Sequence, residues 1–233
     1  AGGGRLAVLM WARERGCPWD TTTCSNAAAG GDLDVLMWAR ARECHWNKST
    51  LTSAAKEGHE VLLKWAIVNR CPMGVSVCAY AAAGGHCELL KWLRGQGCPW
   101  DQSTCNLAAR AGHLEVLKWA REWGCPWDAS TCADAALGGH LEVLKWAREQ
   151  GCPWDRLTCS NAAERGHLEV LKWAREWGCP WAEETGFRAM LSGNEELIQW
   201  AKENGCPCKS IDWTKNPPDS PAVEAHKKRP ILK

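Results

Sequence analysis

GHLEVLKWAREWGCPWDASTC, residues 112–132, packs three Trp and two Cys into a stretch that recurs along the chain with little change. Working outward from it, Cys17, Cys44, Cys71, Cys98, Cys125, Cys152, Cys179 and Cys206 stand 27 residues apart, and so do Trp11, Trp38, Trp65, Trp92, Trp119, Trp146, Trp173 and Trp200. No gap interrupts either series. The consensus CPWDxSTCxxAAxxGHLEVLKWARExG divides residues 17–205 into seven full repeats, preceded by a partial one at 1–16. A fixed period of this length is the mark of a repeat architecture.

Within each repeat the punctuation separates two short helices. From 128 to 137 Asp128 supplies an N-cap, Thr131 follows three residues on, and Ala135 and Ala136 permit close packing before Gly138-Gly139 breaks the helix. This is helix A. Helix B is HLEVLKWAREQ, residues 140–150, in which Leu141, Leu144 and Trp146 share one face and Glu142, Lys145, Arg148 and Glu149 face water. Gly151 stops it and CPW returns the chain. No stretch alternates as a strand does. Two short helices cannot cover their own apolar face, so the fold class is all-α, an α-solenoid of stacked helix-turn-helix repeats. Solenoid residues run from 1 to 207, and the proline-rich, charged tail at 208–233 predicts disorder. Trp213 is expected to pack on the last repeat as a makeshift cap, and HKKRP at 226–230 reads as an ordinary solvated charge run with a weak likeness to a targeting signal.

Length and composition fit this reading. The 233 residues are 45% hydrophobic and 24% charged, with a net charge of +1. Interspersed charge of both signs argues against a dedicated nucleic-acid binder. No apolar run approaches the roughly 18 residues of a membrane span, and AGGGRLAVLMWARERG lacks the pattern of a signal peptide. The chain begins in mid-pattern without a polar cap at either end, which predicts further repeats or another domain upstream in a parent protein.

The motif T-C-x-x-AA-x-x-GHLEVLKWARExGCPWD resembles the ankyrin repeat's T-P-L-H-x-A-A-x-x-G-H-L-E-V-V-K-L-L-L-E-N-G-A-D-V-N, aligned without a gap. The likeness covers residues 5 to about 207, and GHLEVLKW at 112–119, 139–146 and 166–173 carries it most strongly. The repeat is shorter than the family's usual length of about 33, and the missing part is where the family carries its β-hairpin finger. Cys105, Cys132 or Cys159 stands in place of the motif's Pro, and Leu107, Asp134 or Asn161 in place of its His. The resemblance implies ankyrin-like helix pairs with reduced or absent fingers. It also assigns Trp119, Trp127 and their equivalents to buried packing between helices, and Cys125 to a small buried position.

Fifteen Cys, an odd number, raise metal, disulfide and redox readings. Neighbours such as Cys125 and Cys132 lack zinc-ligand spacing. Equivalent Cα atoms in stacked repeats lie about 10 Å apart, too far for one series to cross-link along itself. The thiols therefore read as small apolar core residues in a reducing, intracellular compartment, cytoplasmic or nuclear. His59, His86, His113, His140 and His167 recur at a position that elsewhere holds Asp32 and Asn194, and that set predicts helix B capping. No Ser-His-Asp set, phosphate loop or acid pair occurs once only, so neither enzymatic activity nor any cofactor or metal is expected.

Recognition should fall where repeats differ. Counting from each repeated Cys, positions five, ten, thirteen, fourteen and twenty-six vary most, and ten, thirteen and fourteen share one face of helix A, giving the candidate binding residues Asn26, Lys56, Tyr80, Leu107, Arg110, Asp134, Leu137, Asn161, Glu164, Arg165 and Arg188. Trp123 and Trp177 stand where other repeats hold Arg42, Asn69, Gln96, Gln150 or Asn204, and read as exposed interface anchors. The expected function is a protein-binding module, monomeric or part of a larger chain, engaging a protein partner along a concave helix A strip. The rival is a nucleic-acid reader, taking one base per repeat as helical-repeat RNA binders do, or an electrostatic one using Lys91, Lys118, Lys145 and Lys172.

Overall fold

The computed structural model describes residues 3–207 of the chain, and the tail at 208–233, with Trp213 and the HKKRP run, lies outside them. Two compact units divide the chain, Ala1–Pro126 and Trp127–Lys233. In the first, A helices α2 (Thr21–Ala29), α4 (Lys48–Glu57), α6 (Val75–Ala83) and α8 (Gln102–Ala111) alternate with B helices α3 (Leu33–Arg40), α5 (Glu60–Val68), α7 (Cys87–Gly95) and α9 (Leu114–Glu122), after a leading α1 (Gly3–Glu14). The second alternates α10 (Ala129–Gly138), α12 (Arg156–Glu164) and α14 (Thr185–Ser192) with α11 (Leu141–Glu149), α13 (Leu168–Glu176) and α15 (Glu195–Glu203). All regular structure among the described residues is helical, and each unit is a helical-repeat stack in which consecutive A helices pack side by side.

Local sequence sets these boundaries. The side chains of Asp20, Asn47, Asp101, Asp128 and Asp155 accept from backbone N–H groups two residues on, at 2.8–3.0 Å, fixing where α2, α4, α8, α10 and α12 begin. Fully buried Ala, Cys, Leu and Val fill each seam, for example Cys105, Ala108, Ala109, Leu117, Ala120 and Cys125. Alanine on the A helices lets them touch closely, while B helices meet sparsely.

That asymmetry corrects the expectation for tryptophan. Apart from the exposed Trp11, the repeated indoles are half-buried, not fully enclosed, because the small residues leave the A–A seam no room for a ring of that size. They lie instead along the B-helix edge. The CPW indole of a repeat packs edge-to-face on the Trp of the B helix that follows: Trp19 on Trp38, Trp46 on Trp65, Trp100 on Trp119, Trp127 on Trp146 and Trp154 on Trp173, at 5.7–5.9 Å.

A guanidinium then covers the CPW ring. Arg13, Arg40 and Arg94 sit over Trp19, Trp46 and Trp100 in the first unit, and Arg148 and Arg175 over Trp154 and Trp181 in the second, at 4.1–4.5 Å. Each of these arginines also donates to the carbonyl of the repeated Cys four residues on, Arg40 to Cys44 at 2.6 Å. Ile67 stands in place of Arg, and Met73 at the start of the next repeat stands in place of Trp, so both halves of that clamp are lost together.

The histidine row requires a second correction. His59, His86, His113, His140 and His167 make no side-chain cap bond to helix B, because their ψ near 71–80° departs from the extended backbone of a capping residue. Instead Nε2 donates backwards to the last turn of the preceding A helix: His59 to Ala29 O at 3.0 Å, His86 to Lys56 O at 2.9 Å, His113 to Ala83 O at 3.0 Å and His167 to Leu137 O at 3.3 Å. Helix C-termini leave carbonyls unpaired, and this imidazole satisfies one of them per repeat. Asn194 alone does both jobs, accepting from Leu197 N at 3.1 Å and donating to Gly166 O at 3.0 Å.

Candidate functional site

Helix A alignment decides which variable residues come together. In the first unit the directly packed α2, α4, α6 and α8 carry the exposed variable residues Asn26, Lys56, Tyr80 and Arg110, with Ala29 and Glu57 also exposed and Leu107 half-buried beside them. Tyr80 is 38% exposed. Two cations, a carboxylate, a phenol and an amide thus share a row whose underlying Ala and Cys are sealed.

The corresponding row of the second unit is more closed. Asp134, Leu137, Asn161, Glu164, Arg165 and Arg188 are all half-buried. Asn161 Nδ2 donates to Ala133 O at 3.0 Å, tying α12 to α10, and Arg188 pairs with Glu164 at 2.5 Å, tying α14 to α12. These three residues hold repeats together. They are poorly placed to meet a partner.

Trp123 and Trp177 are 67% and 66% exposed, as the sequence suggested, but they belong to another surface. They close the C-terminal ends of α9 and α13, whereas positions thirteen and fourteen lie at the C-terminal end of helix A, at the opposite end of an antiparallel hairpin. Each stacks on the B-helix indole four residues earlier, Trp123 on Trp119 at 5.8 Å and Trp177 on Trp173 at 5.7 Å. Arg15 and Arg42 use the same slot to cover Trp11 and Trp38. The slot therefore takes any flat group, and Trp is the apolar choice.

Beside Trp177 the second unit has a groove of about 400 Å³ lined by Lys145, Arg148, Glu149, Trp154, Trp173 and Trp177. Sequence reasoning marked Trp177 as an interface anchor and Lys145 for the nucleic-acid rival, but did not bring the six residues together. The i, i+4 relation of Trp173 to Trp177, and Arg148 six residues before Trp154, were the available signals.

Charge on the B helices is internally balanced. Lys91, Lys118, Lys145 and Lys172 pair with Glu88, Glu115, Glu142 and Glu169, three residues earlier, at 2.6–3.1 Å. No group of three or more His, Cys, Asp and Glu among the described residues is arranged to hold a metal ion, and no described helix is long and apolar enough to cross a membrane. No protein-family model matches this chain, and no curated protein is significantly similar to it.

Proposed function

We propose that this chain is a non-enzymatic, ankyrin-like module that binds a protein partner along the helix A row of its first unit. One observation carries the reading: residues that repeat are consumed in caps, seams, clamps and stitches, while Asn26, Lys56, Tyr80 and Arg110 vary from repeat to repeat and stand exposed on adjacent helices. Stacked repeats offer extended surfaces of this kind, and a Tyr flanked by cations suits an interface that mixes an aromatic anchor with charge. An intracellular, reducing setting accords with the many free thiols.

The nucleic-acid reading receives less support, since its four lysines are already paired with glutamates and an ion pair must be broken before each could meet a phosphate. The test is affinity capture with a photo-crosslinker placed at residue 80, compared with a Lys56→Glu, Arg110→Glu variant of unchanged helical content. A cross-linked protein lost from the variant supports the proposal. Equal recovery from both forms rejects it, and salt-sensitive RNA retention would replace it with the rival.

A further inference from the structure

Burial of cysteine is not the whole account of the thiols, because the two Cys series meet each other. Position eight of a repeat lies on helix A, and position one of the next repeat follows helix B, so folding the hairpin sets them face to face across 20 residues of sequence. Cys24 and Cys44 sulfurs stand 3.6 Å apart. The Cys78 and Cys105 thiols of the first unit approach the Cys98 and Cys125 carbonyls at 3.9–4.0 Å, and Cys159 of the second approaches the Cys179 carbonyl at 3.8 Å, which brings the same two positions face to face; Cys132 and Cys152 hold those positions in their repeat. A disulfide needs about 2.05 Å between sulfurs, so at Cys24–Cys44 each sulfur would move less than about 1 Å.

We propose that these five facing pairs are oxidisable dithiol sites, each closing to an intramolecular disulfide when hydrogen peroxide reaches the base of the hairpin. The inference stands apart from the binding role proposed above. Burial selects the oxidant: both sulfurs of a pair are sealed from solvent, which admits a small peroxide during local opening far more readily than a bulky disulfide.

The two members of a pair are chemically unlike. Cys98, Cys125 and Cys179 are held below the usual thiol range, first by the hydrogen bond from the facing thiol and further by Arg94, Arg121 and Arg175. The buried Thr104 and Thr158 hydroxyls, which have no other partner, lie beside Cys125 and Cys179 and act in the same direction. Cys78 and Cys159 are pushed up by the same pairing and by burial, and Cys24 is pushed up to about 12 by burial. In these three pairs the position-one thiol donates to a backbone carbonyl, Gly74 O, Asp101 O or Asp155 O, at 3.3–3.8 Å, so local opening that breaks this bond frees its sulfur to attack as the thiolate, and the position-eight thiol resolves it.

In the first step Cys98 sulfur bonds to one peroxide oxygen, the O–O bond breaks, and the other oxygen leaves as hydroxide and takes a proton, giving water and a sulfenic acid. In the second, Cys78 sulfur bonds to Cys98 sulfur, the S–O bond breaks, and the departing hydroxide takes the Cys78 proton as a second water. Two thiols lose two electrons and two hydrogens, and one peroxide becomes two waters.

The chain carries its own control. Position eight is Leu51 in one repeat, so Cys71 faces no position-eight thiol. The experiment treats the folded protein with hydrogen peroxide, blocks remaining thiols with an alkylating agent, and maps peptides by mass spectrometry. Expected are cross-links within the five pairs and none at Cys71. In Leu51→Cys a sixth cross-link joins position 51 to Cys71, and in Cys78→Ala the Cys98 sulfur stops at a sulfenic acid trapped by a dione reagent while the other pairs still close. Overturning results are cross-links confined to the accessible Cys17 and Cys87, oxidation of the pairs to sulfinic acid without cross-linking, or a Leu51→Cys chain that forms no bond to Cys71.

Discussion

Gly85 and Gly97 are an instructive pair to replace with alanine, because both hold a left-handed backbone, φ +75° and +77°, yet their surroundings differ. A Cβ at Gly97 meets nothing within 4 Å, so only the conformational cost applies, about 1 kcal/mol. A Cβ at Gly85 would lie 2.7 Å from His113 Cε1 and 2.8 Å from Nδ1, so the imidazole must withdraw and its bond to Ala83 O is lost. That bond contributes about 1 kcal/mol, and the orphaned carbonyl adds to the loss. Gly85→Ala should therefore cost about 2–3 kcal/mol and Gly97→Ala about 1 kcal/mol. In the double variant Gly85→Ala, His113→Ala nothing remains to collide, and its total should fall short of the summed single costs by about 1 kcal/mol. Urea unfolding followed by tryptophan fluorescence and far-UV circular dichroism measures all four chains. Equal losses at the two glycines, or strict additivity in the double variant, would refute the assignment of His113 as a stitch between hairpins.

Two further outcomes follow from side chains described above. Burial pushes the Cys71 thiol from its ordinary 9.0 up to about 11, so above pH 9 the unfolded chain holds fewer protons than the folded one and stability falls as pH rises, levelling off beyond 11. The contribution is at most about 2.7 kcal/mol, and denaturation midpoints between pH 8 and about 11 should decline less steeply in Cys71→Ala; identical slopes would contradict it. Restoring the missing clamp with Ile67→Arg and Met73→Trp together should raise stability by about 0.5–1 kcal/mol and exceed the sum of the two single changes, a comparison that thermal melts decide.

The helices were legible because their signals are local: Asp or Asn at each capped start and an apolar face at helical spacing on α9, α11 and α13. Those cues depend on neighbours within a few residues. What the sequence concealed depends on the chain folding back. His113 differs from a cap only through a ψ of 74° that aims it at the previous hairpin, and nothing in the letter H encodes that angle. Indoles were expected in the seams, and only the close A–A approach shows them to be too large for it. Thiol pairing was hidden because distances along one Cys series say nothing about the cross-series approach that the hairpin creates. Of the candidate site, exposure of Lys56, Tyr80, Arg110, Trp123 and Trp177 was readable from repeat-to-repeat variation, whereas the Glu164–Arg188 pair and the separation of the Trp slots from the helix A row required coordinates.

The stitches have a kinetic meaning as well. Each described His–carbonyl bond reaches back 30 residues, and the Asn161 and Asn194 bonds reach 28, so within each unit the polar ties between hairpins extend only to the adjacent one. Ordering a hairpin against its predecessor closes a short loop, and the entropy of that closure is the same wherever it occurs along the array. Low contact order of this kind favours rapid assembly by stepwise growth from any nucleus, and equally permits one end to melt while the middle persists.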